Sequence, residues 1–444
     1  MSPDGIETSR EAKGVKIIHT SDWHLGARLH DEDRAVEHAA FLDWLVGVLK
    51  AERPDVLLVA GDVFDSAAPS ASSMKAYHEF VMRAVGEAGC RNVVVIGGNH
   101  DSPSWLGMSR AVLQCVGVTV IPAGEDEIER ECVLVRHGGR VVLAIAAVPY
   151  LREAELANLV RTEGDARTHD ELVRAGYAEH CRRAVESARA MAGSAPVVLT
   201  GHCVLSGCRL SDDISERQRG VPRVAAVGGV KSVDVDALPK VDYLALGHLH
   251  VPQKVAGRDA ARYSGSPIPM SFAEAGVPKQ ILSVTLGEKS GDAVAVKEMP
   301  VPSFLALERV EGSPDAIEAR LAELARGGGR IYAEVCVTRG EGDVSQRWAK
   351  FAAVASANPG MKILVERDLR EMPAAGSGLA GIAEGNEVLS TLDEMSVARA
   401  RLGEENLTDD DRGALEDMLR EVISEVKSGA DEDGREGADA AAGD

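Results

Sequence analysis

Five short stretches of the chain run into residues able to bind a metal ion. Thr20 leads into Ser21-Asp22-Trp23-His24, and Gly61 into Asp62-Val63-Phe64-Asp65. Gly98 leads into Asn99-His100-Asp101, Gly201 into His202, and Gly247 into His248-Leu249-His250. Asp22 and His24 stand two apart, as do His248 and His250, and residues i and i+2 of an extended segment face the same side. Each pair can therefore bring two ligands to one point. Asp22, His24, Asp62, Asn99, His202, His248 and His250 mix nitrogen and oxygen donors, which suits Mn2+, Fe or Zn2+ better than Ca2+ or Mg2+ alone. Seven ligands exceed the needs of one ion. They suit two ions sharing a bridging carboxylate, about 3.5–4 Å apart. A histidine taken singly is more often packed or solvated than a ligand, so the recurrence over five segments is what points to a dinuclear centre.

Strands must deliver these residues. The runs ahead of them, residues 15–20, 56–60, 93–96, 197–200 and 243–246, are short and rich in Val, Ile and Leu, as strands buried on both faces are. Between the first two, Phe41, Leu42, Leu45, Val48 and Leu49 recur at helical spacing. That alternation predicts βαβ units and a largely parallel α/β arrangement, whose strand carboxyl ends form the rim where ligands bind.

The length of 444 residues predicts two or three domains. The composition, 45% hydrophobic and 27% charged, is that of a globular chain. The longest apolar run, Val141 to Val148, stops at Pro149 and falls far short of the ~20 residues of a membrane helix. The first residues are polar, with no apolar core of a secretion signal. Seven scattered cysteines without a C-x-x-C pair fit a reducing cytoplasm better than a disulfide frame. A net charge of −21 argues at first sight against a nucleic-acid partner. From Gly403 onward, however, 15 acidic and 4 basic residues carry −11 of it, leaving −10 on the preceding 402. An acidic tail on a nearly balanced body is compatible with DNA binding without predicting it.

The motifs in this order resemble the calcineurin-like metallophosphoesterase superfamily. The wording "HTSDWHLG", "AGDVFD", "GGNHDSP", "ALGHLH" and "RYSGSPIPMSF" resembles, within it, the SbcD family, the nuclease subunits of bacterial SbcCD complexes. The resemblance implies an α/β fold: a metallophosphoesterase β-sandwich flanked by helices, with a small α/β cap domain and a C-terminal helical segment. It implies that Asp22, His24 and His250 hold one metal ion and Asn99, His202 and His248 the other, with Asp62 bridging. His100 becomes the catalytic histidine and Asp101 its orienting partner. Asp65 stands where relatives from other kingdoms often have histidine, so its role is open between bracing a ligand and touching substrate. The implied activity is a Mn2+-dependent 3′→5′ exonuclease on duplex DNA and an endonuclease on single strands and hairpins. It would act in repair, recombination and replication with an SbcC-type ATPase, as a homodimer within a heterotetramer, in the cytoplasm and on the nucleoid. A phosphoesterase for cyclic nucleotides or phosphoproteins would carry the same metal ligands. A scaffold with a relic site would not be expected to keep the whole set together with His100.

The domain plan that follows is a nuclease domain over 15–275, a cap over 276–371, a Gly/Ala-rich linker over 372–385, partner-binding helices over 386–428 and a disordered acidic tail over 429–444. In the cap, Ile317, Leu321 and Leu324 mark a helix, and Ile331, Ala333, Val335 and Val337 a strand. Residues 203–240 form an insertion bearing Arg209, Arg217, Arg219, Arg223 and Lys231, either lining a DNA groove or forming a solvated loop. Leu415, Met418, Leu419, Val422, Ile423 and Val426 make an apolar helical stripe. It docks on the ATPase by resemblance, or else rests on its own domain.

Overall fold

The apolar runs become strands over the ranges their composition marks out. The computed structural model describes residues 14–162, 165–209, 232–340 and 345–369, all within one compact unit. The linker, the helices expected over 386–428, the acidic tail and Arg217, Arg219, Arg223 and Lys231 lie outside the described residues. The first half of the chain runs β1 (Val15–Thr20), β2 (Arg28–Leu29), β3 (Glu32–Asp33), α1 (Ala35–Glu52), β4 (Val56–Ala60), α2 (Ala71–Gly86), β5 (Val93–Ile96), α3 (Pro103–Gly107), α4 (Arg110–Gln114), β6 (Val118–Ile121), β7 (Cys132–His137) and β8 (Arg140–Ala146). After α5 (Glu153–Val160) and α6 (His169–Ala192) come β9 (Val197–His202), β10 (Tyr243–Gly247), β11 (Gln253–Val255), β12 (Arg258–Tyr263), β13 (Gln280–Leu286) and β14 (Ala295–Pro300). The last part holds β15 (Ala306–Gly312), α7 (Pro314–Gly327), β16 (Ile331–Val337), α8 (Ser345–Ala355) and β17 (Met361–Asp368).

Two six-stranded sheets face each other, in the orders β14-β13-β1-β4-β5-β6 and β11-β12-β10-β9-β8-β7. The runs β1-β4-β5-β6 and β12-β10-β9-β8 are parallel. Parallel neighbours need a crossover, and α1 and α2 supply it on the outer side of the first sheet. Ile17, Leu58, Ile96, Ile145, Val198 and Tyr243 fill the space between the sheets. Phe41, Leu45 and Phe80 cover the first sheet from outside, and Leu156, Tyr177 and Val185 the second. The result is a four-layer α/β/β/α sandwich. Capping sets where the helices begin. Ser70 Oγ accepts from Ser73 N at 3.1 Å ahead of α2, and Thr168 and Glu171 close a reciprocal capping box ahead of α6.

The five ligand-bearing strands are shared between two sheets, β1, β4 and β5 in one and β9 and β10 in the other, as the β-sandwich implied by the resemblance requires, although apolar periodicity alone does not say which strands pair. One feature differs from the domain plan. Residues 280–300, placed by the sequence plan with the cap, instead extend the first sheet through β13, which pairs antiparallel with β1. The separate three-stranded sheet, β15-β16-β17, begins at Ala306. Its central strand is buried at all seven positions rather than alternately. Ile317 and Leu321 of α7 and Phe351 of α8 pack with Ile331, Ala333, Val335 and Val337. Tyr332, facing the other way, joins Leu29, Phe272, Leu305 and Leu307. Glu334, also buried, lies 3.3 Å from Arg309 and 2.9 Å from Arg367.

Trp23 ties this packing to the ligand loop. It sits between Asp22 and His24, is fully buried, meets Phe41 and Phe80 edge-on at 5.9 and 5.1 Å, and donates from Nε1 to Thr20 Oγ1 at 3.0 Å. Trp23→Ala should cost about 3–5 kcal/mol of unfolding free energy in urea melts of the metal-free protein. Trp23→Phe should retain most of that stability.

Candidate metal centre

The loops after β1 and β4 are stitched together by their backbones. Asp22 N donates to Gly61 O at 3.0 Å, His24 N to Asp62 O at 3.0 Å, and Leu25 N to Val63 O at 2.9 Å. Asp22, His24 and Asp62 all adopt left-handed backbone, with φ of 53°, 47° and 50°, and His248 has φ of 92°. Non-glycine residues there are strained by ~1–3 kcal/mol each, and such strain collects at functional sites. Two glycines are required by close approach. A Cβ on Gly98 would lie 2.1 Å from Asp62 Oδ1, and one on Gly61, whose φ is 89°, would lie 2.3 Å from His202 Nδ1.

Three clusters of potential ligand atoms result: Asp22 with His24 and His250, His24 with Asp62 and His100, and Asp62 with His202 and His248. His24 Nε2 and His250 Nε2 face each other at 3.2 Å. On the other side, Asn99 Oδ1 lies 3.1 Å from His202 Nε2 and 2.8 Å from His248 Nδ1. Asp62 stands between the two groups, its Oδ2 3.6 Å from His24 Nε2 and 3.2 Å from His202 Nε2. The structure thus brings together all seven residues singled out in the sequence.

Polar groups behind the rings favour one nitrogen for the centre. His202 Nδ1 lies 2.9 Å from the carbonyl of Ala60; a carbonyl only accepts, so Nδ1 carries the proton and Nε2 presents its lone pair. His250 Nδ1 lies 3.1 Å from Glu274 Oε1, and His24 Nδ1 3.3 Å from Asp65 Oδ1. Both again leave Nε2 turned inward. The carboxylates are held as well. Asp22 accepts from His248 N at 2.8 Å and from Ser21 Oγ at 2.5 Å, and Asp62 from His100 N at 2.9 Å. Imidazole nitrogen, carboxylate oxygen and amide oxygen converging in this way are the donor set of divalent cations. The residues present therefore fit two ions.

Without metal, the buried carboxylates favour a proton on two of these rings, which a bound cation would displace. Burial works against charge on His24, yet Asp65, Asp62 and Asp22 outweigh it and raise the ring to about 9. Burial opposes His202 likewise, and Asp62 raises it to about 9. His248, which burial and the neighbouring His202 both push down, sits at about 3. Burial would raise Asp62, but His202 and His24 hold it well below the usual carboxylate range.

His100 and Asp101 do not form the expected pair. His100 Nδ1 lies 2.8 Å from the carbonyl of Asp65. Asp101 turns away and accepts from Val63 N, Phe64 N and Gly98 N at 3.1, 2.9 and 2.9 Å. A buried carboxylate flanked by three unpaired N–H groups binds them in preference to a half-buried imidazole. Asp101 thus staples the loop after β4 to the loop after β5. Glu274 and Lys279 escaped the sequence reading. Their signal was an acid and a base close behind the "SGSPIPMSF" turn in otherwise apolar company.

Residues 15–252 match the family model described as calcineurin-like phosphoesterase. The SbcD component of the nuclease SbcCD from Escherichia coli K12 is 28% identical over 422 residues, covering 92% of this chain and 98% of its own. The proteins of the same name from Rhodobacter capsulatus and Bacillus subtilis are 35% and 34% identical over 298 and 292 residues. Each alignment covers 65% of this chain, with 69% and 70% of the respective relatives.

Bracing and chemistry separate at Asp101. Asp101→Ala leaves three buried donors unpaired, at ~1–3 kcal/mol each. The variant should melt well below the parent in thermal denaturation without metal, before any substrate is added. A melting point equal to the parent's would return Asp101 to a role in the reaction.

Proposed function

Because the chain belongs to the calcineurin-like phosphoesterases, and among them to the SbcD nucleases, it is a hydrolytic DNA nuclease, and we propose that its reaction runs at the centre built around Asp62. The observation that carries this reading is Asp62 Oδ2, shared between His24 Nε2 and His202 Nε2 at 3.6 and 3.2 Å. In our assignment Asp22, His24 and His250 hold one ion, Asn99, His202 and His248 the other, and Asp62 bridges. Mn2+ is the metal we assign, in keeping with the mixed nitrogen and oxygen donors. Bound divalent ions supply an activated water near neutral pH and Lewis acidity toward phosphate.

The chain's own residues do the remainder. His100 lies with His24 and Asp62 in one cluster, and its Nδ1 is committed to the Asp65 carbonyl. Its Nε2 is therefore the atom that meets the phosphate or protonates the departing sugar oxygen, a step worth ~10²–10⁴ in rate. Asp65 lies 3.3 Å from His24 Nδ1 through its carboxylate and meets His100 Nδ1 through its carbonyl, which supports a bracing role over contact with substrate. Asp101, in this reading, positions the Asn99–His100 turn rather than touching substrate.

Further readings rest on the family. We assign a 3′→5′ exonuclease on duplex DNA and an endonuclease on single strands and hairpins, working as a homodimer with an SbcC-type ATPase in repair, recombination and replication. We place it in the cytoplasm, on the nucleoid when bound to DNA. Among the described residues no helix is long and apolar enough to cross a membrane.

Two variants and one substrate panel test the proposal. Asp62→Asn keeps the shape but removes the shared charge, so metal analysis should show the two Mn2+ reduced and nuclease turnover collapsed, with the fold retained by circular dichroism. His100→Ala should keep both ions and DNA affinity and lose ~10²–10⁴ in turnover. The parent should cleave labelled blunt and hairpin DNA far faster than cyclic nucleotides or phosphopeptides at equal concentration. The reverse ranking would mark it as a phosphoesterase of another substrate class.

A further inference from the structure

The imidazoles of the two proposed metal positions are backed differently. His24 Nδ1 lies 3.3 Å from the Asp65 carboxylate, and His250 Nδ1 lies 3.1 Å from the Glu274 carboxylate. His202 Nδ1 has only the neutral carbonyl of Ala60, at 2.9 Å. His248 turns Nδ1 to Asn99 Oδ1, 2.8 Å away, a contact between two assigned ligands and not a support behind the ring. The direct ligands divide in the same sense. Asp22 gives the first position a full negative charge of its own, whereas the second has the neutral Asn99 in its place, and both share Asp62.

Glu274 is built in rather than incidental. It is 1% exposed, and its Oε2 accepts from Met270 N at 3.1 Å and is paired with Lys279 Nζ. Lys279, 7% exposed, also donates to the carbonyl of His250 at 3.1 Å and to Ser266 Oγ at 2.9 Å. The Glu274–Lys279 pair therefore grips His250 by both its ring and its backbone. A carboxylate behind a ligating imidazole fixes its tautomer and strengthens it as a donor, and removing such a partner costs ~10–100-fold in metal affinity. Ligand charge raises affinity for divalent cations in the same direction.

Resting on the ligand assignment above, we propose that the two metal positions are unequal. The Asp22–His24–His250 position is the tight one, held so by the positioning residues Asp65 and Glu274, and the Asn99–His202–His248 position fills last. Half-loaded protein then has a single ion on the β1 side, and occupancy of the second position sets when the centre is complete.

Titration of the metal-free full-length chain with Mn2+, followed by calorimetry and by the paramagnetic signal of free Mn2+, tests this. The parent should show two classes of one ion each, separated by at least ~10-fold. Asp65→Asn and Glu274→Gln should each weaken the tight class by ~10–100-fold and leave the weak class within a factor of about two. Because Glu274→Gln leaves a buried ammonium unbalanced, the double variant Glu274→Gln/Lys279→Met is measured beside it and should weaken the same class. Melting of metal-free Asp65→Asn should match the parent, which a merely structural role would not predict for the affinity change. Two equal classes in the parent, or variants that act on the weak class or on neither, overturn the proposal. Retention of both ions by Asp62→Asn would instead sink the ligand assignment on which it rests.

Discussion

Buried negative charge is the constraint around which the rest of the centre is arranged. Asp22, Asp62 and Asp101 are each 6% exposed or less, and an uncompensated carboxylate in such surroundings costs several kcal/mol. The chain answers first with its backbone. His248 N, His100 N and the N–H groups of Val63, Phe64 and Gly98 point at these oxygens. It answers next with imidazoles, His24 and His202 both being raised to about 9. Even so, burial and the neighbouring charge of Asp62 push Asp101 up to about 6. In the proposed assignment a proton and a divalent ion would compete for the same Nε2 atoms, so metal binding would also be proton release.

Holding such a cluster requires a frame that does not relax. The left-handed backbone at Asp22, His24, Asp62 and His248 would revert to ordinary geometry in a free loop. It persists because each loop is hydrogen-bonded to the next and rooted in a strand buried along its length. Trp23 adds a second anchor: its ring fills the layer beneath α1 and α2 while its two neighbours face the metal pocket. Packing, strain and ligand placement are thus one arrangement seen at three depths.

The residues of the cluster were legible in the sequence because short-range chemistry announces them. Asp or His after an apolar run, with glycine before and i,i+2 spacing, needs no knowledge of distant contacts. The strands were legible for the same reason. Partnership was not. That β1, β4 and β5 share one sheet while β9 and β10 share another depends on pairings between segments far apart in the chain, as does the return of β13 to β1. Asp101 was misplaced because the resemblance implied a pair with His100, whereas its partners are set by the approach of the β4 loop. Glu274 and Lys279 were missed because their meaning depends on the fold bringing them behind His250. The tail stripe around Leu419 and Val422 remains a sequence reading, since it lies outside the described residues.

The division of strands between two sheets also explains why a pair of ions suits this fold. In the assignment proposed above, the first position would take Asp22 and His24 from the β1 side and His250 from beyond β10; the second would take Asn99 from beyond β5 and His202 and His248 from the facing sheet. Each proposed ion would therefore draw its ligands from both sheets at the rim, where the apolar filling of Ile17, Leu58, Val198 and Tyr243 gives way to polar groups. A ligand that binds only the folded state stabilises it by ~2.7 kcal/mol at a hundred times its dissociation constant. An ion that clamps both sheets applies that stabilisation where hydrophobic packing ends and charge repulsion begins. A pair of ions so placed would complete the core.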